Sequence, residues 1–143
     1  MTQETRQFHA RDLLSVTTGR LLTKPDNNGN GIGNLYKLLG WMTNDQPFTH
    51  QLPRFSEECK PWLLRWFPEL AKVNEHLSTL DDHVQRLGPN KGCEEFFTAM
   101  LKLDLKEHYD VLKIPANDHE VKHPHDELVA MRGTDKGILV VKP

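Results

Sequence analysis

Four groups of polar residues in this sequence have types and spacings that could do chemistry. The first is His119-Glu120-Val121-Lys122-His123, which fits HExxH, the pattern by which one helical face holds zinc with two imidazoles and keeps a glutamate base between them. That mechanism needs an unbroken helix. Pro124 restricts His123 and cannot donate a backbone bond, so a helix should stop before the second imidazole. A third ligand is also wanting, because Asp135 is the sole acid after Glu127. The better reading is a solvated polar loop leading into the next helix, with no metal site and no cofactor. His123, His125 and Asp126 could still bind a metal adventitiously.

The second group is Asn28-Gly-Asn-Gly-Ile-Gly-Asn34, whose free N–H groups ahead of a helix could form a nest for a phosphate. No Lys-Ser/Thr follows as in a P-loop and no strand clearly precedes, so a mobile surface loop is the better reading. The third group lies between Tyr36 and Phe67, which holds seven of the eleven aromatic residues. Thr49, His50, Gln51, Arg54 and Arg65 are interleaved with them, a set able to hold a nucleotide by stacking or to anchor a protein partner through Trp and Arg. Core packing accounts for most of these rings, which leaves a site centred on His50 to Arg54. His50 suits a general base, although no Ser or Cys nucleophile can be paired with it from sequence. The fourth group is Thr17, Thr18 and Arg20, set in an apolar frame where threonines commonly bond back to the helix backbone. If the first helix packs on the His50 segment, both clusters could line one pocket.

These residues must be positioned by helices through most of the chain. Leu13, Leu14, Thr17 and Leu21 recur at helical spacing after Ala10 to Asp12, with β-branched residues weakening the middle and Gly19 able to break it. The segment 24–33 is the clearest loop and is expected to be flexible. Asn34 can cap a second helix carrying Leu35, Leu38, Leu39 and Met42. Phe48 to Arg54 reads as extended or irregular because Pro53 biases Leu52 away from helix, and the next helix is expected to start at Pro61. Pro68 then opens a helix over 68–87, where Leu70, Val73, Leu77, Leu80, Val84 and Leu87 form one stripe ending at Gly88. Another helix carries Phe96, Phe97 and Met100. Beyond it Tyr109, Val111 and Ile114 suggest a strand, Pro124 to Met131 a short helix, and Gly137 to Lys142 a closing strand. The expected fold is a single α+β domain, mostly helical in its N-terminal two-thirds, with a small strand-helix-strand element at the end.

Composition sets the outer bounds. The 143 residues carry 18 Lys+Arg against 20 Asp+Glu, a formal charge of −2, so non-specific DNA binding is not expected. The charge is uneven: six basic and four acidic residues lie up to Arg54, with twelve and sixteen after it. No membrane span and no leader are expected, which places the chain in the cytoplasm. Cys59 and Cys93 form no zinc-type pair and are expected to be reduced, buried thiols.

The words Ala10-Arg-Asp-Leu-Leu-Ser-Val-Thr-Thr-Gly-Arg-Leu-Leu, Asn34-Leu-Tyr-Lys-Leu-Leu-Gly-Trp-Met-Thr, Phe48-Thr-His-Gln-Leu-Pro-Arg and Cys59-Lys-Pro-Trp-Leu-Leu resemble a family of small uncharacterised proteins of bacteriophages, prophages and bacteria. The resemblance implies a phage or mobile-element setting in a bacterial cytoplasm, and it carries over no catalytic residue. Relative to it, 26–33 looks like an insertion. The function expected is therefore an accessory protein that binds a host or phage macromolecule, with a protein partner favoured. The alternative is a small enzyme or nucleotide-binding protein with Thr17, Thr18, Arg20, His50, Gln51 and Arg54 around one pocket.

Overall fold

The computed structural model describes residues 4–24, 31–103 and 105–131. In chain order the elements are β1 (Thr5–His9), α1 (Ala10–Thr18), α2 (Ile32–Thr43), α3 (Leu52–Trp66), α4 (Leu70–Val73), α5 (Leu77–Leu87), α6 (Pro89–Leu101), β2 (His108–Leu112) and α7 (Pro124–Met131). Short 3-10 turns lie at Thr49–Gln51, Asn74–His76 and Ala116–Asp118. The protein is α+β and mostly helical, as its patterning implies.

The core is built around α1. Every residue from Ala10 to Thr17 is buried, and the helix packs against α2, α3, α4 and β1. Its start is fixed by the His9 ring, whose Nδ1 accepts from the Arg11 N–H at 3.1 Å. Its end is fixed by Gly19, which adopts the left-handed conformation at φ 76°. Leu21, which the spacing assigns to the same apolar stripe, therefore falls beyond the cap and is 41% exposed.

In α2 the stripe of Leu35, Leu38, Leu39 and Met42 is buried as the spacing requires. The helix begins two residues before Asn34, with Gly31 as its cap. Residues 25–30 of the Gly/Asn-rich segment lie outside the described residues, and so does the strand expected at 137–142.

Two proline-based boundaries are corrected. The chain after Phe48 is not extended: it makes a 3-10 turn and enters α3 at Leu52, with Pro53 in the first helical turn, where a missing N–H costs nothing. Pro61 does not start a helix but lies inside α3. The bond it removes is outweighed by burial of Phe55, Cys59 and Leu63 along one face of the same helix. The stripe over 68–87 is likewise split, into α4, a 3-10 turn and α5, with Leu70, Val73 and Leu80 buried.

Gly88, at φ 88°, turns α5 back onto α6, and the two helices pack as an antiparallel pair. β2 then pairs antiparallel with β1, placing Phe8 opposite Tyr109 and Thr5 opposite Leu112. The sheet is tied to α2 by the Trp41 indole, which donates to the Val111 carbonyl at 2.8 Å, and by the Ile114 N–H to the Met42 carbonyl at 2.9 Å. No helix among the described residues is long and apolar enough to cross a membrane.

Candidate functional site

The six polar residues singled out by the sequence occupy three separate settings. His50, Gln51 and Arg54 come together at the start of α3, because the 3-10 turn and the first helical turn put them on one side. What they face is the chain's own C-terminal part. The His50 Nε2–H donates to the Pro124 carbonyl at 2.7 Å, which fixes the tautomer. The Gln51 amide donates to Glu127 Oε1 at 2.8 Å and to the Lys122 carbonyl at 3.3 Å, while its oxygen accepts from the Phe48 N–H at 3.0 Å. Arg54 grips Glu127 with two prongs, Nε to Oε2 at 2.7 Å and Nη2 to Oε1 at 2.9 Å. Its Nη1 reaches Glu58 Oε2 at 2.8 Å and the Glu120 carbonyl at 2.5 Å. The Arg54 hydrogen bonds, helped by Gln51 and opposed by burial, hold the Glu127 carboxyl down at about 2. Sequence reasoning missed Glu127. The available signal was an acid in the first turn of a proline-started helix, which marks a favoured charge at a helix start rather than a clamp.

The HExxH residues join the same network without forming a zinc helix. From His119 to His123 the chain runs outside any helix and enters α7 only at Pro124, so the two imidazoles do not share a helical face. The motif is not wholly solvated either. The His119 side chain is 3% exposed, with Nδ1 at 2.5 Å from Glu58 Oε1, Nε2 at 2.8 Å from Asp45 Oδ2, and its ring edge-on to Phe55 at 4.8 Å. Burial pushes the Asp45 carboxyl up, but hydrogen bonds from His119 and the Gln46 N–H, with Arg54 nearby, bring it below its ordinary value. Among the described residues no group of three or more His, Cys, Asp or Glu is arranged to hold a metal ion.

Thr17 and Thr18 form the second setting. Thr18 Oγ1 bonds back to the Leu14 carbonyl at 2.6 Å, as a helical threonine does. Thr17 does not: its hydroxyl is buried with no partner among the described residues, while its carbonyl accepts from the Asn74 amide at 3.4 Å.

Arg20 forms the third. It pairs with Asp81 at the surface and also borders an open groove of about 460 Å³ between the end of α1, the start of α2 and the first turns of α3. Val16, Leu21, Ile32, Leu35, Leu52 and Pro53 supply its apolar wall, and Glu57 and Lys60 stand at its edge. Pro53 lines this groove while its neighbour Arg54 is engaged with Glu127. Arg20 thus shares no cavity with His50, Gln51 or Arg54 among the described residues.

The aromatic concentration is largely structural. Trp62 donates to Asp118 Oδ2 at 2.9 Å and packs on Trp66 at 5.6 Å, Phe67 packs on Tyr109 at 4.7 Å, and Phe55 is fully buried. Both cysteines are free; Cys59 is buried, which pushes its thiol up to about 12, and Cys93 is half-buried.

This arrangement, a helical domain built on α1 to α4 with a clamped C-terminal segment and an open apolar groove, coincides in its first half with a recognised domain. Residues 8–73 match the family model described as a domain of unknown function, DUF7736. No curated protein and no solved structure matches the chain. The matched stretch runs from the end of β1 through α4 and so contains every wall of the groove.

Proposed function

We propose that the chain is a phage- or prophage-type accessory protein that acts in the bacterial cytoplasm by binding a protein partner, and that the groove between α1, α2 and α3 receives it. The observation that carries this reading is the pair Leu21 and Ile32, 41% and 37% exposed in a groove that they line together with Val16, Leu35, Leu52 and Pro53. Each square ångström of such surface left in water forfeits about 25 cal/mol, which a complementary apolar face recovers. The occupant is an amphipathic helix of a partner protein. A helix delivers aliphatic side chains one turn apart along a groove, and Glu57 and Lys60, of opposite sign at the edge, suit a partner with mixed charges. A nucleic acid suits it poorly, since the chain carries a net −2.

The test is photo-crosslinking in bacterial cells, with a benzophenone amino acid at Leu21 and, as control, at Val121, which is 78% exposed away from the groove. The expected result is one protein adduct of discrete mass from Leu21 only, reduced about tenfold when Ser56→Arg fills the groove. No protein adduct at Leu21, or equal adducts at both positions, or insensitivity to Ser56→Arg, overturns the reading.

A further inference from the structure

From Pro115 to Ala130 the chain buries no apolar residue: Glu127 is the one buried position, while Val121 and Val129 stand in solvent. The elements before it behave differently, since α6 buries Phe96, Phe97 and Met100, and β2 buries Tyr109 and Val111. An element that belongs to a core is held by its apolar face, whereas a peptide ligand is held through its main chain and a few anchor side chains. The segment 118–127 is held in the second way.

Side chains at and before the start of α3 read its backbone directly. His50 donates to the Pro124 carbonyl at 2.7 Å, Gln51 to the Lys122 carbonyl at 3.3 Å and Arg54 to the Glu120 carbonyl at 2.5 Å, while the Glu120 N–H donates to Glu58 Oε2 at 3.1 Å. None of these contacts depends on which side chain the residue carries. Identity enters at two anchors. The His119 ring fills a slot between Asp45 and Glu58, at 2.8 and 2.5 Å, with Phe55 edge-on beside it, and such a slot suits a flat ring with a nitrogen on each side. Arg54 forks onto the Glu127 carboxylate. Every receiving group, from Asp45 to Glu58, lies within the family-matched stretch 8–73, and every group received lies beyond it.

We propose that this face of α3 is a docking surface for an acidic peptide segment of a partner protein that presents a histidine and, further along, a carboxylate, and that 118–127 is its intramolecular stand-in. The contacts to carbonyls and to an N–H accept any main chain in that path, and the two anchors select the histidine and the acid. The surface is separate from the groove: Pro53, Ser56 and Lys60 of α3 line the groove, whereas Arg54 and Glu58 hold the segment. The inference therefore does not rest on the groove having a partner. A docked partner displaces 118–127 instead of lying on it.

The test is fluorescence anisotropy of a labelled synthetic peptide of residues 116–131 titrated with the full chain, as wild type and as a His119→Ala/Glu127→Ala double variant that withdraws both anchors and leaves the receiving face intact. In wild type the chain's own segment competes at an effective concentration on the order of millimolar. Saturable binding to the double variant is expected, about tenfold tighter than to wild type, and about tenfold weaker when Arg54→Ala is added to the chain or when the peptide itself carries Glu127→Gln. If the double variant fails to fold, the single Glu127→Gln chain, which keeps the His119 anchor, gives the same ordering at lower contrast. Equal affinity for wild type and variant, equal affinity for a scrambled peptide of the same composition, or no saturation through millimolar chain overturns the proposal. A wild-type dimer that the peptide dissociates overturns it as well, in favour of a second copy as the occupant.

Discussion

Arg54 and Glu127 stand 73 positions apart and meet in a two-pronged ion pair, at 2.7 and 2.9 Å, at the centre of a network that also takes in Gln51, Glu58 and the Glu120 carbonyl. The pair joins two parts of the chain that share little apolar contact. α7 buries Glu127, while its Val129 stays exposed. Polar bonding from the start of α3, more than hydrophobic burial, therefore holds the C-terminal segment in place.

Removing one partner should accordingly cost stability. Arg54→Ala leaves Glu127 with Gln51 alone and a withdrawn carboxylate, which places the expected loss at about 2 kcal/mol, between surface and fully buried pairs. In a double-mutant cycle with Glu127→Gln, denaturant midpoints should give strongly non-additive losses. Additive, small losses would mean that the segment is held by something else.

Acid should release the same clamp. Glu127 titrates at about 2 in the fold against an ordinary 4.5, so its contribution is fully present above pH 4.5 and is lost as pH falls from there towards 2. Hydrogen exchange of 119–131 should accelerate in that window while α1 remains protected. In Glu127→Gln the acid-dependent part of this acceleration should be much reduced.

How much of this was legible in the sequence depends on how far away the deciding partner lies. The α2 stripe and α7 could be read because the signal sits within the element: Leu35 to Met42 repeat at helical spacing, and Pro124 opens a helix. β1 could not, because only Phe8 of its five residues is buried and the strand exists through pairing with residues about a hundred positions on. Pro61 was misjudged because its lost backbone bond is visible in the sequence, whereas the burial of Cys59 and Leu63 that offsets it is tertiary. His50, Gln51 and Arg54 were legible as a cluster, but Glu127, the group they converge on, was not.

The turn between α5 and α6 gives a steric prediction. A Cβ at Gly92 would stand 2.6 Å from Val84 Cα and 2.7 Å from the His83 carbonyl oxygen. Both are backbone atoms that can yield only by moving the helices apart. Gly92→Ala should therefore destabilise by about 1–3 kcal/mol despite the better helix propensity of alanine. A melting temperature equal to or above wild type would show that the hairpin packs less tightly.

Asp12 should act in the opposite direction from Glu127. It is 6% exposed in the first turn of α1, with one carboxylate oxygen unpartnered among the described residues. Burial raises it from 3.8 to about 6, against the His9 N–H, Arg11 and Lys37, which lower it. A carboxyl raised in the fold favours folding below its unfolded value of 3.8, loses that advantage as pH climbs through 6, and is a liability above it. The rise corresponds to roughly 3 kcal/mol, an upper figure once relaxation and water entry are allowed for. Asp12→Asn keeps an oxygen for the His9 N–H and removes the charge. Its stability relative to wild type should therefore improve steadily from pH 4 to pH 7, whatever the offset at pH 4 from placing an amide NH₂ where the free oxygen stood. Because Glu127 moves the wild-type curve the other way at lower pH, the difference between the two proteins isolates Asp12. A difference that stays flat across that range would mean that Asp12 remains charged in the fold at ordinary carboxylate values, its second oxygen reached by water or by Lys37.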